Sequence, residues 1–213
     1  MSNQWLQIPN LVSLSRVALT PFVGYYLAQG DNRSTLICAI LLVVAGITDG
    51  LDGYLARRLG QVGKLGIALD PIADKVFAGV LVILLIFYRE FPVWLAAAIV
   101  GRDLLILAAG SMLLKGKQVV IPSNITGKYA FGVMAFLLGS YVIRFDFGIW
   151  LTTTATVALL ILSTIVYARV FVYVRRGKDA PVFNDRPIYK ILRIGGSLIL
   201  LVIFLYKLGH TLF

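Results

Sequence analysis

Long and nearly uninterrupted apolar runs are the feature that most restricts how this chain can fold. Of its 213 residues, 59% are hydrophobic and 14% are charged, whereas soluble domains average about half and about a quarter. Runs of this length cross a bilayer as α-helices. The runs predict helices at residues 11–29, 35–58, 70–88, 93–114, 128–143, 149–174 and 194–210. We therefore predict an all-α, multi-pass integral membrane protein, with polar loops or bends at 59–68, 115–127 and 175–193.

The distribution of basic residues predicts which side of the membrane each loop faces. The formal net charge is +10, and in a membrane protein such an excess reflects Lys and Arg held on the cytoplasmic side rather than a nucleic-acid partner. With the N-terminus inside, thirteen of the 20 basic residues fall on the inner side and four on the outer side, namely Arg33, Arg89, Arg144 and Lys207. We therefore predict a cell (inner) membrane protein with a cytoplasmic N-terminus and an external C-terminus.

Four aspartates interrupt the apolar runs within one short stretch. Asp49, Asp52, Asp70 and Asp74 are four of the ten acidic residues of the chain and fall within 26 positions. A charge at membrane depth is costly, so such residues are functional by default. On a helix, residues three or four apart share a face, and two helices joined by a short bend are antiparallel neighbours. We therefore predict that the two pairs converge on one four-carboxylate site at the cytoplasmic ends of the second and third helices.

The surroundings of the four aspartates favour a metal-dependent site that binds a diphosphate. Four carboxylates repel one another at low dielectric, and two divalent cations would neutralise them; hard oxygen ligands suit Mg²⁺ or Mn²⁺. Two such ions are suited to stabilising displacement at phosphorus. Gly53 and Gly66 leave room for a phosphate ester beside the backbone, and Arg57 can bind a phosphate through two hydrogen bonds. The alternative is that the aspartates cap helices, as Asp70 would, or pair with neighbouring basic residues.

One spacing pattern in this stretch resembles a known family signature. The pattern Asp49-x2-Asp52-Gly53-x2-Ala56-Arg57-x8-Gly66-x3-Asp70-x3-Asp74 is similar to that of the CDP-alcohol phosphatidyltransferases at every fixed position. Asn10-x2-Ser13-x2-Arg16 and Gly101-Arg102 resemble its branch of phosphatidylglycerophosphate synthases and cardiolipin synthases. The resemblance implies a six-helix membrane domain at 1–175 that forms a homodimer. A cytoplasmic loop at 176–193 and an additional transmembrane helix at 194–213 would follow.

The resemblance also implies a role for each matched residue. Asp49, Asp52 and Asp70 resemble ligands of two divalent cations. Asp74 resembles both a ligand and the general base that deprotonates the acceptor hydroxyl, whose oxygen would attack the β-phosphorus of CDP-diacylglycerol with CMP leaving. The residues that resemble contacts to the CDP-linked lipid are Pro9, Asn10, Ser13, Gly53, Ala56, Arg57 and Gly66.

Basic residues outside this stretch are candidates for binding the acceptor alcohol. Glycerol 3-phosphate, the acceptor that we expect, is dianionic, so its pocket should be basic. Arg102 lies well inside the fourth run, where a cation needs a partner or an anion. Asp103 points about 100° away on a helix and is a poor partner for it. Lys128 is a second candidate, and Arg16 either binds the acceptor or pairs with an aspartate of the cluster.

Other functions are compatible with the sequence. The acceptor could be phosphatidylglycerol, as in cardiolipin synthases, or serine or inositol phosphate; Asp103 stands where phosphatidylglycerophosphate synthases usually have Glu, which favours a cardiolipin synthase or another member. Membrane prenyltransferases also bind a diphosphate through aspartates and Mg²⁺, but they usually place the two motifs in loops that follow different, more distant helices. An ion transporter with intramembrane carboxylates is a non-enzyme alternative, although such proteins often carry repeats and no second aspartate cluster mirrors the first.

Overall fold

The fold is helical throughout the part of the chain that the structure describes. The computed structural model describes the backbone of residues 8–58, 64–114, 125–176 and 187–212, and no strand occurs in these ranges. Side chains are described over less of the chain, and those of residues 8–13, 49–58 and 64–72 lie outside that part. The helices are α1 (Ile8–Gln29), α2 (Asn32–Arg58), α3 (Lys64–Arg89), α4 (Val93–Leu114), α5 (Ile125–Val142), α6 (Asp146–Arg175) and α7 (Pro187–Leu212). The predicted all-α class is confirmed for these residues.

Several helices begin earlier than the apolar runs predict. Helix α3 begins at Lys64, so Asp70 lies inside a helix and the alternative in which it caps one is wrong. Helix α7 begins at Pro187, so residues 187–193 of the predicted loop are helical. In α7, Lys190 and Arg193 are good helix formers, so the helix extends beyond its apolar run. In α3, residues 64–68 were predicted as part of a bend, but Gly66 costs a helix only about 1 kcal/mol and does not end it. Pro187 suits a first helical position, where its missing N–H costs no hydrogen bond.

Helix α6 has the surface pattern of a membrane helix. Its 30 residues are long and apolar enough to cross a bilayer, and only 11% of its most apolar window is buried. Its buried positions are mostly small or hydroxyl-bearing, namely Gly148, Thr152, Thr156, Ser163 and Val170. These recur at intervals of four and seven residues, which places them on one helix face. Small and hydroxyl residues let transmembrane helices approach closely, so α6 turns this face towards protein and exposes its large apolar side chains.

The first of two compact units comprises Met1–Phe91, Tyr141–Ile143 and His210–Phe213. Within it, α1 packs against both α2 and α3. Val23 and Leu27 of α1 and Leu85 of α3 are almost fully buried in this packing. A Cβ at Gly24 would lie 3.3 Å from a methyl carbon of Leu84, so the glycine allows α1 and α3 to approach closely.

Gly30 and Asp31 form the turn between α1 and α2, since α2 begins at Asn32. Gly30 has a φ of 72°, a conformation that glycine adopts without strain. The Asp31 carboxylate then accepts hydrogen bonds from the backbone N–H groups of Arg33 (3.0 Å) and Ser34 (3.1 Å). Hydrogen bonding, first from the Ser34 side chain and then from its backbone, holds the pKa of Asp31 below the ordinary value of 3.8. Asp31 therefore acts as the cap of α2.

A buried arginine joins the ends of several helices in the same unit. Arg89 is 8% exposed. Its Nη1 donates to the carbonyls of Leu27 (3.3 Å) and Tyr88 (3.0 Å), and its Nε donates to the Val142 carbonyl (3.3 Å). Its Nη2 donates to the Thr35 hydroxyl at 3.3 Å. The three carbonyls belong to the last turns of α1, α3 and α5, where helices leave carbonyl groups without intrahelical partners.

The second unit comprises Pro92–Ser140 and Arg144–Gly209. Helix α4 packs against α6 within it. A Cβ at Gly148 would lie 2.8 Å from the Ser140 hydroxyl oxygen, so the tight corner between α5 and α6 requires a glycine. Phe204 of α7 is buried. A Cβ added at Gly139 of α5 would lie 3.1 Å from the Phe204 ring. The predicted seventh apolar helix is therefore packed against α5.

Candidate active site

The backbone places the four signature aspartates on two continuous helices. Asp49 and Asp52 lie three residues apart in α2, and Asp70 and Asp74 lie four apart in α3. Each pair therefore shares a helix face, as the sequence predicts. The side chains of Asp49, Asp52 and Asp70 lie outside the described residues. The convergence of the four carboxylates stays a prediction.

Asp74 is the one signature aspartate whose side chain the structure describes. Its carboxylate accepts a hydrogen bond from Nη1 of Arg16, across 58 residues of sequence. The Arg16 side chain is 3% exposed and that of Asp74 is 27% exposed. A buried guanidinium is costly unless it is hydrogen-bonded or paired, and the Asp74 carboxylate supplies such a partner. Of the two possibilities for Arg16, pairing with an aspartate of the cluster is confirmed, and binding of the acceptor stays a prediction.

The sequence of α1 explains why Arg16 faces the protein interior. Arg16, Thr20, Val23 and Leu27 are all buried, and they follow one another at intervals of four, three and four residues. Residues at this spacing form one helix face. The Thr20 hydroxyl donates to the Arg16 carbonyl at 3.4 Å, so its polarity is satisfied within the helix. Helix packing alone therefore directs Arg16 towards α3.

Arg102 of α4 lies in a polar cluster within the second unit. Its Nη1 donates to the Asp103 carboxylate at 2.7 Å, and its Nη2 donates to the hydroxyl of Ser163 in α6. Its guanidinium carbon lies 5.6 Å from the centre of the Tyr167 ring. The prediction that Asp103 is a poor partner is wrong, because a long, flexible Arg side chain can bend back to its neighbour even though the two Cβ atoms diverge.

Ser163 and Tyr167 were missed by the sequence-based prediction. They lie four residues apart, so they share one face of α6. Ser163 is fully buried within an apolar segment. The sequence signal for Ser163 is a small hydroxyl residue inside an apolar run, which is typical of a helix–helix contact; Tyr167 then follows from the four-residue spacing.

The remaining predicted site residues lie on helices, but their side chains lie outside the described residues. Pro9, Asn10 and Ser13 belong to α1, Gly53, Ala56 and Arg57 to α2, Gly66 to α3 and Lys128 to α5. Their predicted contacts stay predictions. The described side chains contain no group of three or more metal-binding residues, and three of the four predicted ligands fall outside this part of the chain.

Comparisons with known proteins identify close relatives of this sequence. The chain is 44% identical over 109 residues to a probable cardiolipin synthase (CMP-forming) of Drosophila melanogaster, covering 51% of this chain and 33% of that protein. It is 35% identical over 127 residues to the CDP-diacylglycerol–glycerol-3-phosphate 3-phosphatidyltransferase of Aquifex aeolicus. The match covers 58% of this chain and 68% of that enzyme. The corresponding enzyme of Bacillus subtilis is 33% identical over 133 residues, and the match covers 57% of this chain and 68% of that enzyme.

These matches differ in how much of each relative they cover. The chain spans about a third of the length of the cardiolipin synthases that it matches, and about two thirds of the two bacterial transferases. No solved structure matches it. Residues 6–168 match the family model described as CDP-alcohol phosphatidyltransferase. Members of that family are membrane proteins. The chain therefore belongs to the CDP-alcohol phosphatidyltransferase family.

Proposed function

We propose that this protein transfers the phosphatidyl group of CDP-diacylglycerol to glycerol 3-phosphate and releases CMP. The observation that carries the proposal is the complete family signature on α2 and α3, with its last aspartate, Asp74, held by a buried arginine. The bacterial relatives are named for this reaction. The product would be a precursor of membrane phospholipids.

The reaction is a displacement at phosphorus. The acceptor hydroxyl oxygen forms a bond to the β-phosphorus of CDP-diacylglycerol, and the bond between that phosphorus and the oxygen bridging to CMP breaks. Asp74 takes the proton of the attacking hydroxyl. Because Asp74 retains 27% exposure, it is accessible to a substrate while Arg16 fixes its position. A fixed base in reach of the substrate avoids the entropy cost of bringing the two together.

The donor set of the signature fits two divalent cations. Asp49, Asp52, Asp70 and Asp74 would hold Mg²⁺ or Mn²⁺, which prefer carboxylate oxygens. When bound, such cations neutralise the diphosphate charge and stabilise the charge that develops on displacement. The one described member fits this role, because Asp74 lies at the boundary between buried and exposed positions. Pro9, Asn10, Ser13, Gly53, Ala56, Arg57 and Gly66 would bind the CDP-linked lipid.

Binding of the acceptor would rest on basic residues. We assign Arg102, Lys128 and Arg16 to the anionic phosphate of glycerol 3-phosphate. Arg102 supports this assignment because it is partly exposed although it lies within an apolar helix. A homodimer in the cell (inner) membrane, with the N-terminus and the active site on the cytoplasmic side, completes the proposal.

Phosphatidylglycerol is a second candidate acceptor, which would make the protein a cardiolipin synthase. The 44% identity to the Drosophila protein favours it, as does Asp103 in the position after Arg102. This acceptor is also an anionic glycerol phosphate, so the same basic residues would bind it.

An acceptor panel tests the proposal. Purified protein in detergent would receive CDP-diacylglycerol and, in separate reactions, glycerol 3-phosphate, phosphatidylglycerol, serine and inositol phosphate, each with Mg²⁺, with Mn²⁺ or with a chelator. We expect CMP release that requires metal and is fastest with glycerol 3-phosphate. Faster turnover with phosphatidylglycerol would select the second candidate. Absence of CMP release with every acceptor would overturn the enzyme assignment and favour a transporter.

A further inference from the structure

The Arg102 guanidinium is held on three sides within the second unit. Asp103 binds Nη1 at 2.7 Å, Ser163 binds Nη2, and the Tyr167 ring lies 5.6 Å from the guanidinium carbon. Two of these groups belong to α6, which packs on α4. The planar fork of an arginine is therefore fixed in direction as well as in place.

The partners from α6 fix the cation without neutralising it. Ser163 is fully buried and uncharged, and Tyr167 contributes the face of a ring. Of the five N–H donors of a guanidinium, Asp103 and Ser163 take two, and Nε is buried with no hydrogen-bond partner among the described residues. The Arg102 side chain keeps 17% exposure. Among the described residues, one N–H on each terminal nitrogen therefore remains for an anion, although the guanidinium is also paired with Asp103.

We infer that Ser163 and Tyr167 are positioning residues that aim Arg102 at the phosphate of the acceptor. The inference rests on the proposed function, in which Arg102 binds that phosphate. Asp103 is already one carboxylate partner of Arg102. Because Ser163 and Tyr167 carry no charge, they fix the direction of the guanidinium without adding a second carboxylate that would compete with the substrate. The chemistry recognised is an anionic glycerol phosphate, which free glycerol 3-phosphate and the headgroup of phosphatidylglycerol share.

The test is steady-state kinetics of Ser163→Ala, Ser163→Thr and Tyr167→Leu, with glycerol 3-phosphate and phosphatidylglycerol as separate acceptors. For Ser163→Ala we expect the acceptor KM to rise about tenfold, near the lower end of what a hydrogen bond to a charged group contributes. The kcat and the KM for CDP-diacylglycerol should change less than about twofold. Ser163→Thr keeps the hydroxyl and should restore the acceptor KM. A rise confined to one acceptor supports the inference and identifies the phosphate that Arg102 recognises.

Thr164→Ala is the matched control. Thr164 is the next residue, and its exposed hydroxyl donates to the Leu160 carbonyl of the same helix at 2.8 Å. Its loss should leave both KM values unchanged. An unchanged acceptor KM in Ser163→Ala and Tyr167→Leu, with wild-type turnover intact, overturns the positioning role and leaves the proposed function standing. A wild-type protein that releases no CMP overturns both. A lower melting temperature with unchanged KM shows that Ser163 only packs the helices, and it also overturns the inference.

Discussion

Two buried arginines in the same unit have opposite surroundings. Arg16, 3% exposed, is paired with a carboxylate, that of Asp74. Arg89, 8% exposed, donates to backbone carbonyls in the last turns of three helices and to the Thr35 hydroxyl. The two sites are well separated, because Arg16 precedes Leu27 by eleven residues in α1, about 16 Å along the helix axis.

The difference lies in what neutralises each cation. At the Arg89 site, the partial negative charges of helix C-termini stabilise the cation, and the terminal carbonyls gain the hydrogen bonds that the helices cannot supply. At the Arg16 site, the partner is a group to which we assign chemistry. We therefore expect the arginine bonded to helix ends to support the fold, and the arginine bonded to a signature aspartate to support the proposed reaction. Variants at the two sites test this distinction by separating effects on turnover from effects on stability.

Asp74→Asn should give the largest effect of this series. Asparagine keeps the shape of the side chain but cannot accept the proton of the acceptor hydroxyl. We expect turnover to fall by at least about 10²-fold, the contribution of a general base, with binding of CDP-diacylglycerol retained. CMP release and lipid binding measure the two quantities. Substantial residual turnover would remove Asp74 from the role of base.

Arg16→Gln should reduce turnover more than stability. Asp74 would lose the partner that positions it, and a misplaced catalytic group can cost about 10²-fold in rate. Because Asp74 is partly exposed, water can solvate its carboxylate in the variant, which limits the loss of stability. The specific activity of the folded fraction and the melting temperature separate the two effects. Equal losses in both would show that Arg16 is structural.

Arg89→Gln should show the reverse pattern. Buried carbonyls in three helix ends would lose their donor, and we expect the free energy of unfolding to fall by about 2–4 kcal/mol. Turnover per folded molecule should stay at the wild-type value, since Arg89 has no assigned part in the reaction. Thermal unfolding in detergent and activity below the transition measure this, with Arg89→Lys as a variant that keeps the charge. Lost turnover in fully folded protein would contradict the division between the two sites.

Asp31→Asn should give the smallest effect, and one that depends on pH. The pKa of Asp31 is lowered in the folded protein by its hydrogen bonds at the start of α2. The ionised form therefore stabilises the fold at pH values above the ordinary pKa of 3.8, and this contribution is lost as the pH falls through the lowered pKa. Asparagine also caps helices, so the variant should be slightly less stable than the wild type at pH 7. The difference in melting temperature should disappear in acid; a difference that persists there would show that the charge is not its cause.

The sequence predicted those features that depend on residues near one another in the chain. Apolar length predicted the helices, and helical spacing predicted that each aspartate pair shares a face. Helix starts such as Lys64 and Pro187 were placed too late, because a helix tolerates the glycine and the charged residues that suggested a bend or a loop. The sequence did not predict contacts between residues far apart in the chain. Arg16 had two possible partners, Arg89 was only one of the basic residues on the outer side, and Ser163 lies 61 residues from Arg102. These side chains find their partners through the packing of helices, which spacing within one helix does not encode.

The hydrogen bonds of Arg89 also determine when, during synthesis of the chain, these helix ends can assemble. Its partners Leu27, Thr35 and Val142 lie 62, 54 and 53 residues away in sequence. A chain made from its N-terminus contains α1 and α2 before Arg89 is added, but it must extend through all of α5 before Val142 exists. For that interval the arginine is a cation whose set of bonds is incomplete. Assembly of these helix ends is therefore completed only after most of the chain has been synthesised.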